Sequence, residues 1–172
     1  MDKIRQRNIL VIITGLDNWM PLMKMEGKIL EKQGIDKVVI FNSLWKSGED
    51  YQIKARRLEK EIERYMKNYR VHLCGVSAGG LLAYRYLIKN HNKIGALLSY
   101  GGCNFPFKDE LKRKQWADKL SERSSSVRQA IEETALIEKN WNDDWGKKCL
   151  NYFGAVDDIV PKEVSIVPGA KN

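Results

Sequence analysis

The stretch that decides the fold is residues 71–80, VHLCGVSAGG, in which an apolar run leads straight into Gly75-Val76-Ser77-Ala78-Gly79. This is the G-x-S-x-G spacing of a turn between a buried strand and a helix, so tight that its serine takes strained φ/ψ angles. The residues two before and two after the serine must be small, and Gly75 and Gly79 leave that room. Ser77 is therefore the first candidate for a catalytic nucleophile.

The sequence on either side of this turn alternates between strand and helix patterns. Helices are predicted over residues 20–33, after the polar turn at 47–50, and over 78–89. Because parallel strands need crossover connections, the alternation predicts an α/β fold with helices on both faces of a mostly parallel sheet. The sheet is expected to have about six strands, over residues 9–14, 37–42, 71–74, 94–100, 150–154 and 164–167.

The alternation stops over residues 105–148, which are charged and helix-prone and contain no strand pattern. Ser126 and Gln129 have the spacing of a capping box and predict a helix over 127–139. Two interpretations stay open for this insertion: ordinary surface helices, or a cap or lid over the site. Two roles stay open for its three tryptophans, anchoring the segment or lining an acyl or aromatic pocket, and core packing is expected for at least two of them: Trp116, Trp141 and Trp145. The whole chain, residues 1–172, is predicted to be one domain.

Composition and charge exclude several classes of function. The net charge is +8, but the basic residues alternate with acids, as over residues 54–67, which predicts a solvated helix face. No stretch combines clustered basic residues with aromatics, so no nucleic-acid partner is expected. The three cysteines, Cys74, Cys103 and Cys149, lack metal-ligand spacing and are predicted to be buried reduced thiols, with no metal site.

No targeting or membrane segment is predicted. The apolar run at residues 9–13 is too short for the core of a signal peptide. No segment approaches the roughly 20 apolar residues that span a bilayer. We therefore expect a cytoplasmic protein without an integral membrane segment.

Three motifs together resemble the α/β-hydrolase superfamily, and most closely its small serine lipase and esterase branch. They are GVSAGG at 75–80, GAVDDIVP at 154–161 and SIVPGAKN at 165–172. The resemblance implies hydrolysis of small-molecule or lipid carboxylic esters through an acyl-enzyme on Ser77, without a cofactor. It also implies that Asp157 is the catalytic acid, with Asp158 the less favoured neighbour.

The resemblance also implies an oxyanion hole made of backbone N–H groups. Ala78, directly after the nucleophile, would supply one donor, and Leu16 in the loop after the first strand would supply the other. Thr14 stands where the family usually carries histidine, which leaves the backbone donor available. The residues that follow Leu16 would border the pocket: Asp17, Asn18 and Trp19.

The sequence contains two histidines, His72 and His91, and neither is placed to act as the base. His72 lies within the strand that enters the turn, and His91 follows the next helix, so His91 is predicted at the opposite edge of the sheet from Ser77. Both are predicted to be structural or solvent-exposed residues. The resemblance would place the catalytic histidine roughly ten residues beyond Asn172. A serine without a base keeps its proton near neutral pH and is a poor nucleophile.

Other functions stay open on the sequence alone. One is a non-catalytic or shortened hydrolase-fold protein that binds a ligand or a partner. Another is a thioesterase, acyltransferase or peptidase that uses the same turn. A nucleotide-binding domain is disfavoured because the motif lacks the Lys and Ser/Thr that end a P-loop.

Overall fold

The computed structural model describes residues 6–17, 20–103, 109–137, 139, 141–152, 160, 162–167 and 169–171. Strands and helices alternate through the first hundred residues, and three helices then precede the last strand. In chain order the elements are β1 (Asn8–Ile13), α1 (Met20–Lys32), β2 (Lys37–Phe41), α2 (Tyr51–Met66), β3 (Arg70–Val76), α3 (Gly79–Asn90), β4 (Ile94–Tyr100), α4 (Glu110–Ser121), α5 (Ser125–Ile137), α6 (Asp143–Gly146), β5 (Cys149–Tyr152) and α7 (Lys162–Ser165).

The five strands form one sheet in the order β2-β1-β3-β4-β5, and every neighbouring pair is parallel. Ile12 of β1 pairs with Ile40 of β2 on one side and with Cys74 of β3 on the other. Continuous β-branched runs suit strands that are covered on both faces. The predicted α/β fold is confirmed, and each of the first four predicted strands matches an observed strand to within two residues.

The crossovers determine which helices lie on which face. From β1 the chain crosses to β2 at one side of the sheet, and each later crossover leads to a strand toward the other side. Because these crossovers are right-handed, α1 lies on one face of the sheet and the later helices lie on the other. Met23 of α1 packs on Ile12 and Cys74, while α2 and α3 pack on the opposite face and α5 packs against these two helices. Tyr100 of β4 and Tyr152 of β5 are exposed.

The sixth predicted strand, over residues 164–167, is wrong. Residues 162–165 form the short helix α7, and Val164 and Val167, three residues apart, are both buried. So short an apolar run does not distinguish strand from helix. The segment that pairs with the outer side of β5 is the one around Lys171, which forms a single parallel bridge with Leu150.

The capping box predicted at Ser126 and Gln129 is also wrong. Helix α5 begins at Ser125, so Ser126 already lies inside it. The Gln129 side chain instead accepts a hydrogen bond from the Tyr51 N–H at 2.8 Å and donates to Asp50 at 3.1 Å. Gln129 therefore caps the start of α2, a neighbour in space that local spacing does not reveal.

The solvated face predicted over residues 54–67 needs one correction, because the side chain of Lys54 is fully buried. Its Nζ donates to the Leu44 carbonyl at 2.5 Å and to Ser47 Oγ at 3.1 Å, with a Glu49 carboxylate oxygen 3.6 Å away. Burial lowers the pKa of Lys54. The buried ammonium holds together the loop between β2 and α2.

The predicted burial of the cysteines and tryptophans is confirmed. All three cysteines are buried, and none of them forms a disulfide. Trp116 belongs to the core, and Trp141 and Trp145 pack against it. Among the described residues no helix is both long and apolar enough to cross a bilayer.

A buried guanidinium ties three helices together on the main face. Arg85 of α3 is 5 % exposed and pairs with Glu59 of α2 at 2.8 Å and with Glu133 of α5 at 2.7 Å. It also donates to Gln52 at 3.1 Å. Because α5 belongs to the 105–148 insertion, this network joins the insertion to the body of the protein.

We expect Arg85→Met to lower the free energy of unfolding by about 2–3 kcal/mol, since it leaves two partly buried carboxylates without a counter-charge. The matched control is Arg64→Met, whose guanidinium is 62 % exposed and pairs with Glu61 along one helix. The control should change stability by less than about 0.5 kcal/mol. Urea unfolding followed by tryptophan fluorescence measures both variants, and equal losses would contradict the network's role.

Candidate active site

Ser77 lies at the carboxyl end of the central strand, in a backbone conformation that L-residues rarely adopt. Its φ is +50°, within the left-handed region that costs a side-chain-bearing residue roughly 1–2 kcal/mol. The strained turn predicted from the spacing is therefore present. It turns the Ser77 side chain, which is half-buried, away from the strand pleat.

The two glycines of the motif are required by close backbone approaches. A Cβ on Gly75 would lie 2.7 Å from the Cα of Gly80, and a Cβ on Gly79 would lie 2.8 Å from the carbonyl oxygen of Thr14 and closer still to that of Ile13. Distances under 3 Å are essentially never seen for real Cβ atoms. Helix α3 can thus begin directly against the ends of β1 and β3 only with glycine at both positions.

Hydrogen bonds fix the turn to the neighbouring strand. The Ser77 N–H donates to the Tyr100 carbonyl at 3.1 Å. The Ser77 carbonyl accepts from the N–H groups of Gly80 and Cys103, each at 2.9 Å. Both backbone groups of Ser77 are therefore used, and only its hydroxyl is left for chemistry.

The loop after β1 lies directly against Ser77. A Cβ on Gly15 would be 2.9 Å from the Ser77 Cβ and 3.4 Å from its Oγ. Leu16, the next residue, is buried. Within the part of the chain that the structure describes, neither the Leu16 N–H nor the Ala78 N–H has a hydrogen-bond acceptor. Two backbone donors without an acceptor among the described residues thus belong to the residue after Ser77 and to the residue after Gly15.

Thr14, at the position where the resemblance would place histidine, anchors this loop. Its hydroxyl accepts from the Ser43 N–H at 3.1 Å, and its carbonyl accepts from Ser43 Oγ at 2.9 Å and from the Trp45 indole N–H at 3.0 Å. Thr14 and Ser43 are fully buried. The segment after β2 therefore holds the β1–α1 loop in place.

The insertion supports the same loop from behind. Ser124, between α4 and α5, donates to the Trp45 carbonyl at 2.5 Å and shares a hydrogen bond with Ser126. Sequence analysis missed Ser43, Trp45 and Ser124 as supporting residues. Each of these contacts joins segments about 30 to 80 residues apart, so the local sequence pattern does not predict it. The one feature of the sequence that points to these contacts is the tryptophan at position 45, in a mostly polar loop.

Asp17, predicted to border the pocket, is held by two cations. It pairs with Lys46 at 2.7 Å and with Arg123 at 2.6 Å. The hydrogen bond from Lys46 is the main reason that the pKa of Asp17 lies below its usual value. Asp17 is half-exposed and links the loop beside Ser77 to the turn between α4 and α5. Asn18 and Trp19 lie outside the described residues.

The acid implied by the resemblance, Asp157, lies outside the described residues, as does Asp158. The structure therefore brings together Ser77, Leu16 and Ala78, and it leaves the position of the acid as a prediction. Within the 154–161 motif Val160 is described, and it is buried in the main core.

Both histidines lie toward the opposite edge of the sheet. His72 precedes Ser77 by five residues of strand, roughly 16 Å, and hydrogen-bonds to Asn8 Oδ1 at 3.1 Å. Burial, with a smaller contribution from Arg70, lowers the pKa of His72. His91 caps the far end of α3 and stacks on Trp145 with the ring centroids 4.3 Å apart. Neither imidazole can reach the Ser77 hydroxyl.

Comparison with solved structures identifies the fold. A monoacylglycerol lipase from Paleococcus ferrophilus aligns with a TM-score of 0.61 and 15 % identity, over 93 % of this chain and 79 % of that one. A carboxylesterase of the thaumarchaeon Nitrososphaera gargenis aligns with a TM-score of 0.59 and 15 % identity, over 90 % of this chain and 74 % of that one. An α/β-hydrolase from a lagoon-sediment metagenome aligns with a TM-score of 0.58 and 19 % identity, over 93 % of this chain and 74 % of that one. The chain therefore has the α/β-hydrolase fold. No protein-family model and no curated protein matches the sequence.

The strain at Ser77 can be measured without any activity. We expect Ser77→Gly to be more stable than Ser77→Ala by about 0.5–1 kcal/mol, because glycine takes a positive φ without penalty but gains freedom in the unfolded chain. The control is Ala135→Gly in helix α5, which should instead lose about 1 kcal/mol. Thermal unfolding of the variants gives the comparison, and the same sign at both positions would refute a strained turn.

Proposed function

We propose that this protein is a serine hydrolase that acts on carboxylic esters through an acyl-enzyme on Ser77. The observation that carries the proposal is the half-buried hydroxyl at φ +50° flanked by the backbone donors of Leu16 and Ala78. The similarity of the fold to a carboxylesterase and a monoacylglycerol lipase supports a small-molecule or lipid ester as the substrate class.

The proposed reaction has two steps. Ser77 Oγ attacks the acyl carbonyl and loses its proton, and the resulting oxyanion accepts hydrogen bonds from the N–H groups of Leu16 and Ala78. The tetrahedral intermediate collapses, the alcohol leaves with a proton, and the acyl group remains on Ser77. Water then attacks the acyl-enzyme and releases the carboxylic acid. The chemistry requires neither a metal nor an organic cofactor.

Neither histidine of this chain lies where it could act as the general base for Ser77. Asp157 is proposed as the acid that would orient a histidine, but both histidines of this sequence lie at the far edge of the sheet. Water or hydroxide must therefore take the Ser77 proton. Loss of a triad member typically leaves about 10³–10⁴-fold rate enhancement over water, from the oxyanion hole and binding. We expect turnover by this chain to be low and limited by acylation.

The interpretation of residues 105–148 as a cap remains part of the proposal. Helix α5 is bound into the body through Glu133 and Gln129, so a covering role falls to α4 and the turn that follows it. That turn reaches the loop beside Ser77 through Arg123 and Asp17. A cap of this kind would exclude water from the acyl-enzyme.

A fluorophosphonate probe and p-nitrophenyl butyrate test the nucleophile directly. We expect the parent chain to be labelled and to hydrolyse the ester slowly, and Ser77→Ala to lose both labelling and protein-dependent hydrolysis with an unchanged circular dichroism spectrum. Ser121→Ala, which removes a hydroxyl from helix α4, is the matched control and should keep both. Persistent labelling of Ser77→Ala would place the nucleophile elsewhere.

The pH dependence tests whether an imidazole serves as the base. With hydroxide as the base, the Ser77-dependent rate should rise about tenfold per pH unit between about pH 6 and 9 without a plateau. A histidine base would instead level off above its usual pKa of about 6.5. The rate of Ser77→Ala at each pH gives the background to subtract, and a plateau near neutrality would contradict the assignment.

A second candidate is a hydrolase-fold protein that binds a ligand or partner without turnover, and the placement of both histidines favours it. Binding of a non-hydrolysable ester analogue by both the parent chain and Ser77→Ala, with equal and background hydrolysis, would select this function over catalysis.

A further inference from the structure

A cavity lies at the amino edge of the sheet, at the opposite end of β3 from Ser77. It has a volume of about 700 Å³, within the range of small-molecule sites. Seven residues of strand separate Arg70 at its wall from Ser77, roughly 23 Å. We call this cavity the basic cleft, after the four cations in its lining: Lys67, Arg70, Lys93 and Lys148.

The charge of the basic cleft is unbalanced. Among the described residues of its lining, Glu63 is the one carboxylate. Among the described residues, none of the four cations lies within 4.0 Å of a carboxylate oxygen. Elsewhere in the described chain, nine ion pairs take up other basic side chains. A concave surface lined by one sign of charge concentrates ligands of the opposite sign.

Lys148 is the most firmly placed of these cations. Its half-buried side chain donates to the carbonyl of His91 at 2.7 Å and to that of Ile94 at 3.3 Å. An ammonium group has three N–H donors, so one remains after these two bonds. The two carbonyls position the charge without neutralising it.

Arg70 is placed by a glycine. A Cβ on Gly95 would lie 2.8 Å from Arg70 Nε, so the arginine side chain crosses β4 at the one residue that gives it room. Among the described residues, no acceptor is bonded to its guanidinium. A guanidinium presents paired donors that match the oxygen geometry of a phosphate.

The remaining wall of the basic cleft is less polar. The half-buried ring of Tyr69, the Met66 side chain and Ile94 lie beside the cations. The outer face of the Tyr69 ring is stacked by the Arg7 guanidinium at 4.6 Å, which adds a further positive charge nearby. The surface can thus contact an anionic group and an aromatic or apolar group together.

We propose that the basic cleft binds a phosphorylated small molecule. Arg70, Lys93 and Lys148 hold the phosphate group, and Tyr69 with Met66 contacts the organic part. This site is separate from the ester-hydrolase function and does not depend on it.

Isothermal titration with phenyl phosphate, methyl phosphate and inorganic phosphate tests the site. We expect one-to-one binding, with phenyl phosphate the tightest because its ring contacts Tyr69. Lys148→Gln and Arg70→Gln should each lower the affinity about tenfold or more, as expected for loss of a charged hydrogen bond. Lys93 is exposed, so Lys93→Gln keeps the fold and gives a third variant.

The control variant is Lys112→Gln, which makes the same change of charge on the exposed surface of α4 and should leave the affinity within about twofold. Ser77→Ala should also bind normally, which separates this site from the ester site. Equal losses in Lys112→Gln and the cleft variants, or no saturable binding of phenyl phosphate, would overturn the proposal. Cleft-dependent binding to phosphatidylglycerol vesicles, without binding of phenyl phosphate, would overturn it in favour of a membrane surface.

Discussion

The close approach of helix α3 to the end of β1 is the constraint on which the rest of the structure depends. The first turn of α3 fits against the carbonyls of Ile13 and Thr14 only because position 79 has no side chain. That fit bends the chain at Ser77 to φ +50° and brings the β1–α1 loop against the serine. The strain at one residue and the placement of the two amide donors are thus consequences of a single packing contact.

The loop beside Ser77 depends on elements that contribute no atom to the reaction. Thr14 is held by Ser43 and Trp45, and the Trp45 carbonyl is in turn held by Ser124. Because these groups are buried and hydrogen-bonded, loss of one would leave an unsatisfied polar atom, at a penalty of about 1–3 kcal/mol. The 105–148 insertion therefore has a structural role at the site whether or not it also covers the substrate.

The local pattern of the sequence predicted the strands and the turn at Ser77 because both depend on neighbouring residues. It failed where a contact lies outside the periodic pattern of one helix. Gln129 caps α2, 78 residues away along the chain, and Lys54 is buried by the loop that precedes its own helix. The apolar run at 164–167 is too short for its hydrophobic periodicity to distinguish a helix from a strand. For the candidate site, the motif predicted the strained turn at Ser77, while the roles of Leu16 and Ala78 stay predictions. The contacts of Thr14 join the end of β1 to the segment after β2 and have no local signature.

Arg70 and Ser77 are the two ends of one strand. Because β3 is hydrogen-bonded to β1 on one side and to β4 on the other, it holds its two ends at a fixed separation in this structure. Coupling between two sites requires an element whose equilibrium both ligands bias. Occupancy at one end of β3 should therefore leave affinity at the other unchanged, so that the free energies of the two binding events simply add.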